Sequence, residues 1–230
     1  MSTYGWRLSL LDLACSQPEC PYNRTMSQQW LLWIQKLQAI AQNGLRYSKD
    51  PFNRQRFQEL REISAHMLAG LSNGDPGAAL TYFESLDGTS TPRIDVRAFV
   101  LQEGKVLMVR EKSDGLWTLP GGWADVGCSL SEAVAKEVHE EAGYVVAPTR
   151  ILAVYDRSRH PHPPHPEYSY KIFVQCDLVE ETTADELETD AAGFFPVDRL
   201  PPLSTGRVTS DQIGRMVDLA DDPSLPADFD

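Results

Sequence analysis

Gly121-Gly122-Trp123-Ala124-Asp125-Val126-Gly127-Cys128 runs directly into Ser129-Leu130-Ser131-Glu132-Ala133-Val134-Ala135-Lys136-Glu137-Val138-His139-Glu140-Glu141-Ala142-Gly143-Tyr144. Gly121, Gly122 and Gly127 give the first half the freedom for unusual backbone angles and close approach of a ligand. Ser129 and Glu132 stand as S-x-x-E, the pattern in which side chain and backbone satisfy each other's free donors at a helix start. Gly143 is placed to stop that helix in a left-handed turn. Helix formers fill the interval. Glu137, Glu140 and Glu141 are three and four residues apart, so all three carboxylates share one face. Three like charges repel there, and a sequence shaped only for stability would avoid them. Lys136 can pair with Glu140 and relieve part of that cost, whereas a hard cation with oxygen ligands would relieve much more. Ala133, Val134 and Val138 leave an apolar side for docking on a sheet. The bland alternative is an acidic helix facing solvent, which is common. The glycine loop directly before the capped helix weighs against it.

Outward from this stretch the chain divides into differently textured parts. Residues 1–25 show no clear period and carry Pro18 and Pro21, so 1–26 reads as an extension, with Met26 an alternative start. Trp30, Trp33, Ile34, Leu37, Ile40 and Ala41 recur at helical spacing, with Gly44 as the expected stop. Pro51 opens a second helix in which Phe57, Leu60, Ile63, Met67 and Leu71 repeat the spacing. Asn73 to Gly77 reads as a turn, and a short third helix is expected over Ala78–Leu86. Residues 27–86 thus form a small helical N-terminal domain, followed by a linker around Asp87–Pro92. From Ile94 the pattern becomes strand-like, in Val96, Ala98 and Val100, in Val106 to Val109, in Arg150 to Tyr155 and in Tyr168 to Cys176. Gly104 predicts a hairpin, Phe194-Phe195 ends another strand, and a last helix covers Ser210 to Leu219. Strands mixed with two helices imply an α/β domain over 92–220. Residues 221–230, with Asp221, Asp222, Asp228 and Asp230, read as a solvated acidic tail.

Composition bounds the function. The chain of 230 residues is 42% hydrophobic, which fits a globular fold and not disorder. No apolar run approaches the roughly 20 residues of a bilayer span, and Met1 to Leu13 lack the pattern of a secretory signal. A net charge of −12 argues against long nucleic acid as partner. It does not exclude a small phosphorylated ligand, because a bound cation inverts the local field. The four cysteines, Cys15, Cys20, Cys128 and Cys176, form no zinc spacing, so free thiols and a cytoplasmic location are expected.

The motif resembles the Nudix box, G-x5-E-x7-R-E-U-x-E-E-x-G-U, where U is aliphatic or bulky and apolar. Gly122, Glu137, Val138, Glu140, Glu141, Gly143 and Tyr144 occupy matching positions. Cys128 stands where the first Glu is expected, and Lys136 where Arg is expected. Thr91 to Arg97, Leu116 to Pro120, Tyr170 to Phe173 and Leu200 to Ser204 extend the resemblance to one bacterial branch. That branch has a helical N-terminal domain and includes CDP-choline pyrophosphatases and proteins labelled ADP-ribose pyrophosphatases.

The resemblance implies an α/β/α sandwich with a mixed sheet. It implies Mg²⁺, with Mn²⁺ as a substitute, held by Glu137, Glu140, Glu141 and the Gly121 carbonyl. It implies hydrolysis of a nucleoside diphosphate linked to another moiety, releasing a nucleoside monophosphate. Glu141, Glu188 and Glu186 are the candidate general bases, the last two in an acidic loop whose ordinary reading is solvation. Arg97 and Arg110 are candidate phosphate contacts, since guanidinium grips phosphate in a fork, though each reads equally as half of a salt bridge. Trp123 is a candidate for stacking on a base, although packing is the commoner fate of Trp. In Arg159-His160-Pro161-His162-Pro163-Pro164-His165-Pro166 the prolines oppose convergence on one ion, leaving a rigid specificity loop with His160 as substrate contact. Cys128, which offers no hard oxygen, is expected to pack where loop meets helix. The wide apolar stripe of the N-terminal helices predicts a homodimer. Two further readings stay open: a ligand sensor on the same fold with little turnover, and an RNA-processing hydrolase.

Overall fold

A computed structural model describes residues 26–86, 88–184 and 188–230. The Met1–Thr25 extension with Cys15 and Cys20, the linker residue Asp87 and the candidate base Glu186 lie outside the described residues.

Among the described residues three helices come first: α1 (Met26–Tyr47), α2 (Pro51–Ser72) and α3 (Pro76–Ser85). The caps explain their boundaries. Asp50 and Asp75 each accept a hydrogen bond from a backbone N–H of the first turn, and each is followed by proline, whose missing N–H costs nothing there. The Asn73–Gly77 turn therefore divides between two helices. Asn73, at φ 53°, closes α2, and Asp75 opens α3 at Pro76, before the Ala78 that spacing suggests. Gly44 does not end α1. It stays within the helix because a Cβ there would lie 2.4 Å from the ring of Phe57, so this glycine serves helix–helix packing. Ile34, Ala65 and Phe83 form the small core of the three helices.

The remaining strands and helices are β1 (Arg93–Phe99), β2 (Leu101–Gln102), β3 (Lys105–Glu111), β4 (Trp117–Thr118), α4 (Leu130–Ala142), β5 (Tyr144–Asp156), β6 (Ser169–Glu181), β7 (Thr189–Pro196), α5 (Ser210–Asp221) and β8 (Asp228–Phe229). They build two four-stranded sheets. The first, in the order β1-β6-β5-β8, is mixed: β1 runs parallel to β6, and β5 antiparallel to it. The second is antiparallel, with β3 between β4 and β7 and paired with β2 at one end.

Alternation along the strands sends side chains to two cores. Val96, Ala98, Leu107, Val109, Ile172 and Val174 meet Val134 and Val138 of α4. Phe99, Val106, Met108, Leu152 and Phe173 meet Ile213, Met216 and Leu219 of α5. Strands covered on both faces read as continuous apolar runs, which is the texture of Val106 to Val109. The result is the expected α/β/α sandwich behind a helical N-terminal region.

Residues 221–230 depart from the expected solvated tail. Asp228–Phe229 pairs in parallel with β5, Asp228 accepts from Tyr155 and Arg215 at 2.9 and 2.8 Å, and the Asp230 carboxylate accepts the Asp156 N–H at 2.5 Å. Two of these donors, the Tyr155 hydroxyl and the Asp156 N–H, lie more than 70 positions away in sequence, which no local pattern shows.

Candidate active site

The glycine stretch is laid along β1. Val96 N–H donates to Gly122 O at 2.8 Å, Ala98 N–H to Pro120 O at 2.9 Å, and Ala124 N–H to Ile94 O at 3.0 Å. Residues 120 and 122 thus face β1, and Gly121 between them faces the other way. Its N–H donates to Glu141 Oε2 at 2.8 Å. Gly121 has φ 139°, and a Cβ there would sit 2.0 Å from Val96 O, so glycine is the residue that fits. Gly122 lies against Glu137, whose carboxylate oxygens would be 3.2 Å from an added Cβ.

Helix α4 presents the carboxylates because its ends are well fixed. Ser129 and Glu132 form both bonds of the capping box, and Gly143 closes the helix at φ 70°. Tyr144 then enters β5 directly, so that strand begins six residues before the Arg150 suggested by pattern. Glu137, Glu140 and Glu141 all line one cavity of about 380 Å³, together with Arg97, Gly121, Gly122, Trp123 and Glu188. Burial pushes Glu141 up to about 8, although Arg97 and the Gly121 N–H pull the other way. Burial also raises Glu137, which accepts no hydrogen bond among the described residues. Lys136 binds chiefly Asp125 of the glycine loop, at 2.7 Å, and stands 3.9 Å from Glu140.

Arg97 is 5% exposed and spends two of its donors on Asp95 Oδ1 (2.8 Å) and Leu119 O (3.2 Å). Lys171, equally buried, binds the other Asp95 oxygen. Burial alone would raise Asp95, but Arg97 and Lys171 hold its carboxyl below the ordinary range. A second cavity of about 270 Å³ adjoins the first and shares Arg97, Gly122, Trp123 and Arg207 as walls. It adds Arg157 and His165. Arg157 donates to Gly206 O at 3.3 Å and forms no ion pair among the described residues. The cleft therefore has an acidic half and a basic half.

The structure gathers most of the residues singled out from sequence, and places two elsewhere. Arg110 is on the surface, paired with Asp190 at 2.7 Å and packed over Trp117, outside either cavity lining. Its position on β3 faces the opposite way from the cleft-lining Glu111, one residue on. His160 packs on the Tyr155 ring and lies 3.2 Å from Asp230, so the C-terminal segment claims it. His165 of the same loop faces the cleft instead. Trp123 is 42% exposed at the cavity wall, with the Arg93 guanidinium 5.5 Å from its ring centre. Cys128 is exposed, so it is not a packing residue; the loop from Asp125 to Ser129 stands off the core.

Sequence patterns missed Glu111 and Arg207, an ion pair of 2.8 Å on the cavity wall. They missed Arg157 as well, and in the Pro-rich loop they favoured His160 over His165 as the substrate contact. These residues come from separate strand ends and loops, and no spacing links them. Among the described residues no three His, Cys, Asp or Glu side chains stand in a ready-made metal cluster. Glu141 accepts from the Gly121 N–H, and Glu140 stands 3.9 Å from Lys136, so these two carboxylates have separate partners. The donor set still suits a hard cation: carboxylate oxygens on one wall, two of them raised by burial and short of positive partners. No helix among the described residues is long and apolar enough to cross a membrane.

Comparison with known proteins agrees with this fold. Residues 91–214 match the NUDIX domain family, and residues 28–83 match a family described as UDP-X-like, N-terminal oligomerisation domain. A Bacillus subtilis (strain 168) protein, whose name provisionally assigns it to the ADP-ribose pyrophosphatases, is 44% identical over 201 residues, covering 87% of this chain and 97% of that protein. A crystal structure of a UDP-X diphosphatase is 30% identical, with TM-score 0.58 over 89% of this chain and 99% of that one. The structure of an ADP-ribose pyrophosphatase from Streptococcus suis 89-1591 is 40% identical, with TM-score 0.56 over 61% of this chain and all (100%) of that one.

Proposed function

The chain belongs to the Nudix hydrolase family, enzymes acting on pyrophosphate bonds, and from that premise we propose a Mg²⁺-dependent hydrolase of nucleoside diphosphates linked to a second moiety. ADP-ribose is the leading substrate type, since two similar proteins carry that name, and CDP-choline is the next. The products are a nucleoside monophosphate and the phosphorylated remainder. The observation that carries this reading is the juxtaposition of Glu137 and Glu141, raised by burial, with the buried Arg97 in one cavity.

Glu137, Glu140 and Glu141, with the Gly121 carbonyl, would hold Mg²⁺. When bound, the cation supplies positive charge against the diphosphate and the leaving phosphate. The chain's own residues supply position. Arg97 is locked by Asp95 and Leu119 O, so its remaining N–H groups reach a phosphate oxygen without reorganisation. Gly121 and Gly122 allow close approach, because a side chain at either would intrude on Val96 or Glu137. Glu188 lies on the cavity wall, exposed, and is a candidate to take the proton of the attacking water. Glu141 is the second candidate. Trp123 offers a ring face at the mouth of the cleft.

The helical segment 27–86 is proposed as the assembly unit and 92–220 as the catalytic one. Helix α1 exposes Trp30 (43%), Trp33 (44%) and Ile40 (54%) on its outer side, and a second copy of the chain would bury them in a homodimer. Light scattering of the full chain at micromolar concentration tests this, and a monomer counts against it. The activity is tested with a panel of nucleoside diphosphate derivatives and Mg²⁺, with products resolved by chromatography. Release of a nucleoside monophosphate from at least one is expected. Tight binding of a derivative without its hydrolysis would favour a sensor instead.

A further inference from the structure

The Pro-rich loop that leads into β6 is held at its end by the N-terminal helices. Gln35 of α1 donates to the carbonyls of His165 and Pro166 at 2.9 and 3.2 Å. Leu31 and Leu32, one turn earlier on the same face of α1, line a small pocket together with Pro163 and Pro164. Tyr82 of α3 donates to the Glu167 carboxylate at 3.1 Å. That carboxylate also binds Arg93 at 3.0 Å, and Arg93 lies over the Trp123 ring. His165 and Trp123 are two walls of the 270 Å³ basic cavity. The helical region thus supports both walls from behind.

The His165 ring has one donor to spare. Its Nδ1 accepts the Glu167 N–H at 3.2 Å, so in the neutral ring the proton sits on Nε2. Burial first, and Arg157 next, lower the pKa of this ring, which favours that neutral form near pH 7. Among the described residues Nε2 has no partner, and unlike Thr118 Oγ1 and Ser169 Oγ it is not sealed from solvent. Arg97 and Arg157 line the same cavity, so its wall is rich in N–H donors. Its one carboxylate, Asp95, is already taken by Arg97 and Lys171. Such a wall calls for a negatively charged oxygen acceptor.

We infer that His165 donates its Nε2 proton to a phosphate oxygen of the substrate beside Arg157, and that Gln35 is the positioning residue that holds it there. The identity of the ligand rests on the pyrophosphatase reading above. Gln35 acts through the backbone: two hydrogen bonds to adjacent carbonyls restrict the segment that carries the ring, and a donor already in place costs less to order on binding. A glutamine that merely fastened two parts of the chain would change stability and leave affinity alone.

A double-mutant cycle on the full chain tests this, read by calorimetric titration with ADP-ribose and CDP-choline without Mg²⁺, so that binding is measured apart from turnover. His165→Asn keeps an acceptor for the Glu167 N–H and removes the Nε2 donor; it should weaken binding about tenfold. Gln35→Met should weaken it about fivefold. The double variant should lose about tenfold, not the roughly fiftyfold of independent effects, because Gln35 acts through His165. With Mg²⁺, KM should rise in step and kcat should stay within about threefold. Thermal melting checks folding. Should Gln35→Met fail to fold, Gln35→Glu, which keeps the shape and loses the donor, takes its place, and the His165→Asn result stands without either. No binding of either compound by the wild type, equal affinity in all four proteins, or losses that multiply in the double variant overturns the inference. Hydrolysis by the wild type with four equal affinities removes this wall and keeps the pyrophosphatase reading. The expected cycle in a protein that hydrolyses neither compound keeps the wall and removes that reading.

Discussion

The two halves of the candidate cleft share walls yet carry opposite charge problems. In the acidic half, Glu137 and Glu141 are raised by burial, with too little positive charge beside them. In the basic half, Arg97, Lys171 and Arg157 gather around the single buried carboxylate Asp95, and burial lowers Arg157. Each half is costly alone, because buried charge without a counter-charge is expensive. A ligand carrying a cation at one end and a diphosphate across the middle would satisfy both. Opposite charge on two adjoining walls is the arrangement that the proposed pairing of a metal with an anion requires.

The largest effect should come from breaking the acidic half. Glu141→Gln or Glu140→Gln is expected to lower kcat by roughly 10²–10⁴ while circular dichroism stays unchanged. Near-normal turnover in both variants would remove these carboxylates from the chemistry.

Next in size is a pH test that separates the halves. His162, 4% exposed, sits behind the basic half; its Nδ1–H donates to Thr205 O at 2.7 Å and its Nε2 accepts from Gln212 at 3.0 Å. The Gln212 amide is oriented by its own bond from Thr209 N–H, so a second ring proton has no acceptor. Burial accordingly holds His162 down at about 4. An unfolded histidine titrates near 6.5, so the stability from neutral His162 is complete above that pH and is lost as pH falls toward 4. The loss between pH 7 and pH 5 is about 2 kcal/mol. Glu141, raised to about 8, has the opposite sign: acidification relieves its buried charge by about 2 kcal/mol over the same range. Without divalent cation the wild type should change little, Glu141→Gln should lose stability at pH 5, and His162→Gln should gain it. Denaturant unfolding at the two pH values measures this, and parallel behaviour of all three proteins would sink the assignment.

Arg157→Met should act more gently, since it removes an anion contact and leaves the carboxylates intact. KM is expected to rise about tenfold with kcat nearly unchanged. A fall in kcat with constant KM would move Arg157 from holding the substrate to acting in the transition state. The smallest effect belongs to Cys128→Ala, on the exposed loop, where steady-state kinetics should stay within about twofold. Abolished turnover in a folded protein would require a thiol-dependent mechanism.

Local sequence held the parts whose physics is local. The capping box at Ser129 and Glu132, the left-handed stop at Gly143 and the shared face of the three carboxylates are all set within one helix. They could be read without any partner. Gly44 shows the limit: its role depends on Phe57 of the next helix, and by local rules it reads as a stop. Arg97 illustrates a middle case, legible as a phosphate contact by residue type, with its burial against Asp95 and Lys171 invisible.

The sequence by itself determined the α/β texture, the helical N-terminal segment and a carboxylate helix primed by glycines, because hydrophobic period, capping and helical spacing act over a few residues. Tertiary structure alone decided which charges meet. Glu111 with Arg207, Asp125 with Lys136 and Asp228 with Tyr155 depend on strand order and on where loops return. Electrostatic and hydrogen-bond energies follow distance through space, and only the packing of both sheets with the helices brings such residues together.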